Sequence, residues 1–280
     1  MQLHVFTNRG IDEVAIDLLR EWAPRDGSPL LVAYSGGKDS GVILDLAKRA
    51  GVPFEGRYHY VHLDPPELRA FIREQLHDPA NRLTIEMPVR SLVSMVHQKQ
   101  FMPRRGARWC CELYKHRSPP GRTTVLGVRW AESTKRRDRS SVEARRSSAG
   151  LILNPIVAWT DTDVWQYIRE RGLSYCHLYD EGEKRLGCVL CPLARNRTPR
   201  YQAKARREIE RWPGIARLWF RVCETVWTYH RDEYASPQAL WEWWLRSEPT
   251  HRDDGECGLF GPPVEVAEDL MKANMPENQQ

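Results

Sequence analysis

Ser35-Gly36-Gly37-Lys38-Asp39-Ser40 stands between an apolar run, Leu30-Leu31-Val32-Ala33-Tyr34, and the helix-spaced stretch Val42-Ile43-Leu44-Asp45-Leu46-Ala47. The apolar run has the length and composition of a buried strand. Strand, glycine turn and helix N-terminus build an anion site from backbone N–H groups and the positive end of a helix dipole. Gly36 and Gly37 let the backbone approach a ligand closely. Lys38 adds a point charge, while Ser35 and Ser40 add hydroxyls. A Walker-type loop needs four residues between its first glycine and its Gly-Lys pair. Here Gly36 directly precedes Gly37-Lys38, so this is a different kind of phosphate loop.

Outward from the loop, strands and helices alternate. The residue pattern predicts a second strand over Tyr58 to Leu63, ending at Asp64-Pro65-Pro66, then a helix over Glu67 to Leu76 with proline near its start. A third strand is expected over Leu83 to Met87, a helix over Leu92 to Gln98, and a fourth strand over Thr124 to Val128. The expected fold class is therefore α/β, a doubly wound and mostly parallel sheet. In such sheets ligands bind beyond the carboxyl ends of the strands, where both the loop and Asp64 fall.

With 280 residues, 41% hydrophobic and 28% charged, the chain has the composition of a globular protein. No apolar run approaches the roughly 20 residues that span a bilayer. The N-terminus lacks a basic segment followed by an apolar one, so a cytoplasmic protein is expected. The net charge of +5 is unevenly spread. Arg104-Arg105, Arg108, Lys135-Arg136-Arg137, Arg139, Arg145-Arg146 and Arg195 to Arg207 concentrate it. Such patches suit nucleotide phosphates and sulfate, or a nucleic-acid backbone, or simply a solvated surface.

Seven cysteines, an odd number, argue against a disulfide scaffold. Cys188-Val189-Leu190-Cys191 is a C-x-x-C pair, and Cys110-Cys111 is an adjacent pair far upstream. Together they supply four thiolates, enough for an iron–sulfur cluster or a structural zinc. A C-x-x-C alone also suits a redox dithiol or two buried small residues.

The six-residue loop resembles the PP-loop of the ATP-pyrophosphatase and adenine nucleotide α-hydrolase superfamily. That resemblance implies a site for an adenine nucleotide's phosphates formed by Ser35, Gly36, Gly37, Lys38, Asp39 and Ser40, with Lys38 and Asp39 also catalytic and Asp64 in the nucleotide site. If ATP is the nucleotide, Mg2+ accompanies it. The cysteine pair followed by Lys115 and a proline, with the later C-x-x-C, is similar to the 4Fe–4S pattern of assimilatory adenylylsulfate reductases. These belong to the phosphoadenosine phosphosulfate (PAPS) reductase family, a branch of the same superfamily. Further stretches agree: Gly127-Val128-Arg129 with Glu132-Ser133, Asn154-Pro155-Ile156, Trp159 to Trp165, and Gly172 to Cys188. The resemblance covers about residues 28 to 195.

It implies that Cys110, Cys111, Cys188 and Cys191 ligate a 4Fe–4S cluster and that Lys115 lies near the cluster or an anionic group of the substrate. Arg129, on a loop after a strand, is expected to contact phosphate or sulfate, a surface salt bridge being the bland alternative. Thr160-Asp161 reads as a helix N-cap and so as structural. Cys257, in Glu256-Cys257-Gly258-Leu259, resembles the C-terminal nucleophile of sulfonucleotide reductases. There a thiolate attacks the sulfonucleotide's sulfur to give an enzyme S-sulfo intermediate, and a thioredoxin-like thiol releases sulfite. His251 and Arg252 lie nearby to favour the thiolate.

Three functions follow as expectations. The first is thiol-dependent reduction of adenylylsulfate or phosphoadenylylsulfate, which makes the chain an oxidoreductase. The second follows from the intact loop: an ATP-dependent adenylating sulfurtransferase, of the tRNA-thiolating or DNA-phosphorothioating type, with the basic patches on nucleic acid. The third is a nucleotide-binding, redox-sensing module.

Residues 196–265 read as a separate helical region after a domain over 1–195, with a frayed tail over 266–280. Helices are expected over Tyr201 to Arg211, Ile215 to Tyr229 and Pro237 to Leu245. Trp219, Phe220, Val222, Cys223, Val226 and Trp227 have the three-to-four spacing of an apolar face, so core packing is expected and Cys223 is expected to be inert. Cys176 is left without a role.

Overall fold

The computed structural model describes residues 10–115, 119–144, 150–194 and 198–246. Its centre is a six-stranded sheet in the order β3-β2-β1-β4-β6-β5. The strands are β1 (Leu30–Ala33), β2 (Phe54–His59), β3 (Leu83–Glu86), β4 (Thr124–Val125), β5 (Val142–Ala144) and β6 (Leu151–Leu153). All neighbours run parallel except β5, which returns antiparallel along β6. The expected α/β class and mostly parallel sheet are what the structure shows.

Chain order reverses between β1 and β4. From β1 the chain adds β2 and β3 on one side, then crosses back to place β4 on the other. A crevice opens at the carboxyl ends of strands flanking such a reversal, because their crossover helices lie on opposite faces. The loop after β1 and the loop after β4, which carries Arg129, both empty into it.

Helix α2 (Lys38–Ala50) starts at the loop and buries Val42, Ile43, Leu44, Leu46 and Ala47 against the sheet, then stops at Gly51 in the left-handed conformation. α1 (Ile11–Glu21) packs on α2 and was not foreseen in the sequence. α3 (Pro66–His77), with Pro66 as its first residue, buries Leu68, Phe71 and Ile72, and α4 (Leu92–Lys99) opens on a Ser91 cap. α5 (Trp109–Tyr114) carries the adjacent cysteines, and α6 (Asp161–Arg171) begins with a capping box of Thr160 and Asp163.

The predicted second strand is displaced. It runs over Phe54–His59 rather than Tyr58 to Leu63, because alternate residues from Phe54 onward face the core while Gly56 and Arg57 dilute the apolar run. The fourth strand stops at Val125, freeing Leu126 to Val128 for the crevice loop. β5 and β6 were not anticipated.

α7 (Pro199–Arg211), α8 (Pro213–Trp227) and α9 (Pro237–Arg246) match the three expected helices closely. α8 packs on α4, and its apolar residues belong to the same continuous cluster as the sheet's. Trp219, Trp241 and Trp244 pack as a group, Trp219 and Trp244 with centroids 4.8 Å apart. The Trp244 indole donates to Pro103 O at 2.9 Å, tying α9 to the loop before α5. Among the described residues no helix is long and apolar enough to cross a membrane.

Candidate nucleotide and thiol site

The loop is built on short contacts that favour glycine. Gly36 has φ +73°, and a Cβ there would meet Ile72 and Leu68 at 2.7 Å. Gly127 brings the β4 loop so close that a Cβ would lie 3.1 Å from the Asp39 backbone. Ser40 Oγ donates to Gly37 O at 2.7 Å and accepts from Ser35 N at 3.2 Å, bracing the turn. The Lys38 N–H donates to the Tyr179 hydroxyl at 3.0 Å, so a phenol oxygen stands where an anion's oxygen would sit.

Four charges close a ring over this turn. Lys38 is almost fully buried, with Nζ 3.0 Å from both Asp39 Oδ2 and Asp161 Oδ1. Arg129 is 2% exposed. Its Nε donates to Asp39 Oδ1 at 2.6 Å, Nη2 to Asp161 Oδ1 at 2.7 Å and Nη1 to Trp159 O at 3.2 Å. An unpaired guanidinium would not tolerate that burial; two carboxylates and a carbonyl make it tenable. Burial works to raise the Asp161 carboxyl, but the hydrogen bonds and charges of Lys38 and Arg129 outweigh it and hold it below the usual range.

Asp161 corrects the sequence reading. Thr160 caps the helix as expected, but the Asp161 side chain reaches Lys38 and Arg129, so it belongs to the site. Nor is Arg129 a surface salt bridge. Beside the loop lies a small cleft lined in part by Tyr34, Gly37, Phe71, Ile168 and Tyr175.

The second cluster forms past the end of β2. Tyr58 donates to Asp64 Oδ2 at 2.7 Å, and Lys115 Nζ lies 3.5 Å from Asp64 Oδ1. Burial, then the Asp64 carboxylate, pushes the Tyr58 phenol well above its ordinary value. Asp64 thus keeps company with Lys115 and Tyr58. Burial opposes the charge on Lys115, but the Cys188 thiol, to which it is hydrogen-bonded, and Asp64 hold it well above the usual ammonium value. Lys115 therefore does stand beside one of the four cysteines.

The C-x-x-C loop is held from three directions. Val189 N donates to Leu63 O at 2.8 Å, Leu190 N to Glu208 Oε2 at 2.8 Å, and Trp219 Nε1 to Val189 O at 3.0 Å. Leu190 takes φ +53°, an uncommon left-handed conformation for leucine. Cys110 is hydrogen-bonded with Cys111; that contact, burial, and the nearness of Cys111, Cys188 and Cys191 drive its thiol pKa far up. Burial pushes Cys188 up to about 12 despite Lys115. The six described cysteines form no disulfide.

The donor type suits a thiolate-bound centre: Cys110 lies near Cys111, Cys188 and Cys191, so that four thiols from two segments are neighbours. Yet among the described residues no group of three or more His, Cys, Asp or Glu side chains is arranged to hold a metal ion. Cys223 is buried, its thiol donating to Pro237 O, as expected of an inert core cysteine. Cys176 is buried too. Cys257, His251 and Arg252 lie outside the described residues, as do Arg145, Arg146, Arg195 and the 266–280 tail.

Strand order and the crevice loop are those of an α/β protein of the PP-loop kind. A model of the phosphoadenosine phosphosulfate reductase domain matches residues 29–194, more than half of the chain, and the chain belongs to that family. The adenosine 5′-phosphosulfate reductase of Anoxybacillus flavithermus is 28% identical over 196 residues, covering 67% of this chain and 80% of its own. That of Geobacillus kaustophilus is 29% identical over 190 residues, covering 63% and 78%. An uncharacterised protein of Methanocaldococcus jannaschii is 28% identical over 225 residues; the match takes in 75% of this chain but only 51% of that relative. Among solved structures, a phosphoadenylyl-sulfate reductase from Candida auris in a phosphate complex is similar at 21% identity and a TM-score of 0.45, covering 62% of this chain and 93% of that one.

Proposed function

We propose that this chain is an ATP-dependent sulfurtransferase, activating an acceptor by adenylation at the crevice loop. The charge balance of the ring carries the reading. Lys38 and Arg129 are matched by Asp39 and Asp161, leaving no net positive charge on those four groups. A sulfonucleotide brings only negative charge and would meet two carboxylates. ATP travels with Mg2+, which Asp39 and Asp161 would hold, leaving Lys38 and Arg129 for the phosphate oxygens. An acceptor oxygen then bonds to the α-phosphorus, the bond to the bridging oxygen breaks, and pyrophosphate leaves. A sulfur nucleophile afterwards displaces AMP from the adenylated acceptor. Nucleic acid is the acceptor this reading favours, since Lys135, Arg137, Lys184 and the rim residue Trp130 are exposed on the loops around the crevice. Cys110, Cys111, Cys188 and Cys191 would hold a 4Fe–4S cluster, which supplies redox and sulfur-binding chemistry when bound.

A second reading is favoured by the adenosine 5′-phosphosulfate reductases among the relatives and by Cys257. In it the Cys257 thiolate attacks the sulfonucleotide's sulfur, the nucleotide monophosphate leaves, and a thioredoxin-like dithiol frees sulfite while becoming a disulfide. One experiment separates the two: purified holoprotein incubated with Mg-ATP and, separately, with adenylylsulfate or phosphoadenylylsulfate plus a dithiol. Pyrophosphate release that drops at least 100-fold in Lys38→Ala is expected. Dithiol-dependent sulfite that vanishes in Cys257→Ser, without pyrophosphate release, would replace the first reading by the second.

A further inference from the structure

β3 closes one side of the sheet: it pairs with β2 on its inner side and, among the described residues, with no strand on its outer side. The pairing fixes which backbone groups face outward. Gly56 N donates to Arg82 O and Tyr60 N to Glu86 O, and the strands run in parallel register, so Thr84 and Glu86 turn their backbone groups to β2. The alternate residues Leu83, Ile85 and Met87 therefore turn their N–H and C=O groups to the free edge. Pro88 lacks an N–H, but it falls in the inward-facing alternation and takes no donor from that edge.

The same edge is apolar. In Leu83-Thr84-Ile85-Glu86-Met87-Pro88-Val89 the hydrophobic residues alternate, which sets them in one row on one face of the strand. Eight large apolar side chains are exposed among the described residues, and three of them stand together here: Ile85 at 46%, Met87 at 57% and Val89 at 79%. Edge strands are ordinarily guarded by a lysine or another charge placed in such a row. β3 has none there. Its one charged residue, Glu86, lies on the other face, 3.4 Å from Arg57. An apolar row beside outward-facing backbone groups is a template for one more strand.

We propose that this edge pairs with the β3 of a second copy of the chain, antiparallel about a two-fold axis, joining the two sheets into one. The strand is complementary to itself. With the axis at Ile85, Leu83 faces Met87 of the second copy and Ile85 faces its own counterpart, so apolar meets apolar along the row. On the other face each Glu86 stands opposite a Thr84, and no like charges meet. A shift of the axis to Glu86 would set the two carboxylates against each other, which fixes the register. The seam is short, so association in the micromolar range is expected. It holds whichever nucleotide the loop takes.

Sedimentation velocity of the full chain over about 1 to 100 µM tests it. A monomer that gives way to a species of twice its mass within that range is expected. Ile85→Lys sets two like charges against each other at the axis, and Met87→Lys puts a charge in the row. Each should weaken association by about tenfold or more. Both side chains are exposed, so neither change removes core packing, which circular dichroism and thermal melting verify. Amide hydrogen exchange gives a second reading on the wild type itself: segment 83–87 should be more protected in the dimer than in the monomer. A chain that stays monomeric throughout the range overturns the proposal. So does a dimer that both lysine variants form as tightly as the wild type, or one whose 83–87 amides exchange as in the monomer. Assembly that continues past the dimer overturns it too, because a two-fold pairing closes on itself.

Discussion

Arg129 depends on its partners more than any other charged residue of the crevice loop. A guanidinium 2% exposed, donating to Asp39, Asp161 and Trp159 O, is stable only while those partners remain. Replacing it by alanine removes two ion pairs and opens a buried void. Arg129→Ala should cost about 3 kcal/mol in urea unfolding, an effect that Lys38, still paired with both carboxylates, keeps from growing larger. The ring also sets a pH dependence. The Asp161 carboxyl is depressed in the folded chain, so its stabilisation is complete above the unfolded value near 4 and is lost as pH falls through the lower folded value. The urea midpoint should fall in acid below about pH 4, and Asp161→Asn should flatten that fall; a profile identical to wild type would remove Asp161 from the ring. Loop and cysteines were legible because their residues are contiguous or paired in the chain. Asp161 and Tyr179 were not, because their meaning lies in contacts made across the fold: Tyr179 meets Lys38 from 141 residues away.

Among the elements, the amphipathic helices after β1 were readable from their spacing and caps, and β1 and β3 from their apolar runs, whereas α1, β5 and β6 were missed and β2 was displaced. β2 has only alternate residues buried, and β4, β5 and β6 are two or three residues long, too short for any period to show. The cysteine loop has no regular structure, and its shape comes from outside. Glu208 accepts from Leu190 N and pairs with Lys204 at 3.2 Å. Glu208→Ala strands a buried N–H and should cost about 1–3 kcal/mol. Glu208→Gln keeps an acceptor and should cost less than half as much. Equal losses, measured by chemical denaturation, would mean that the ion pair rather than the loop's N–H is what matters.

For the whole molecule, the helices α7–α9 are part of what shapes the thiol loop. Trp219 holds Val189 O, Glu208 holds Leu190 N, and Trp244 holds Pro103 O ahead of the other cysteine pair. A chain ending at residue 195 loses all three and uncovers the apolar faces of α4 and the loop before α5. It should therefore be recovered aggregated or without cooperative unfolding in calorimetry, although the family match ends at residue 194. A soluble fragment with a sharp transition would make those helices a dispensable layer.

The strand order carries one more consequence, in the time over which the chain is made. β1 is made well before its partner β4, which lies more than ninety residues later, and Asp161 comes later still. Until residue 161 has emerged, Arg129 lacks one of its two carboxylate partners. Domains with such distant pairings fold slowly and expose unpaired strand edges while they wait. The charged ring is thus completed only after every strand of the sheet has been made, and a shorter nascent chain carries the loop after β1 without its full set of counter-charges.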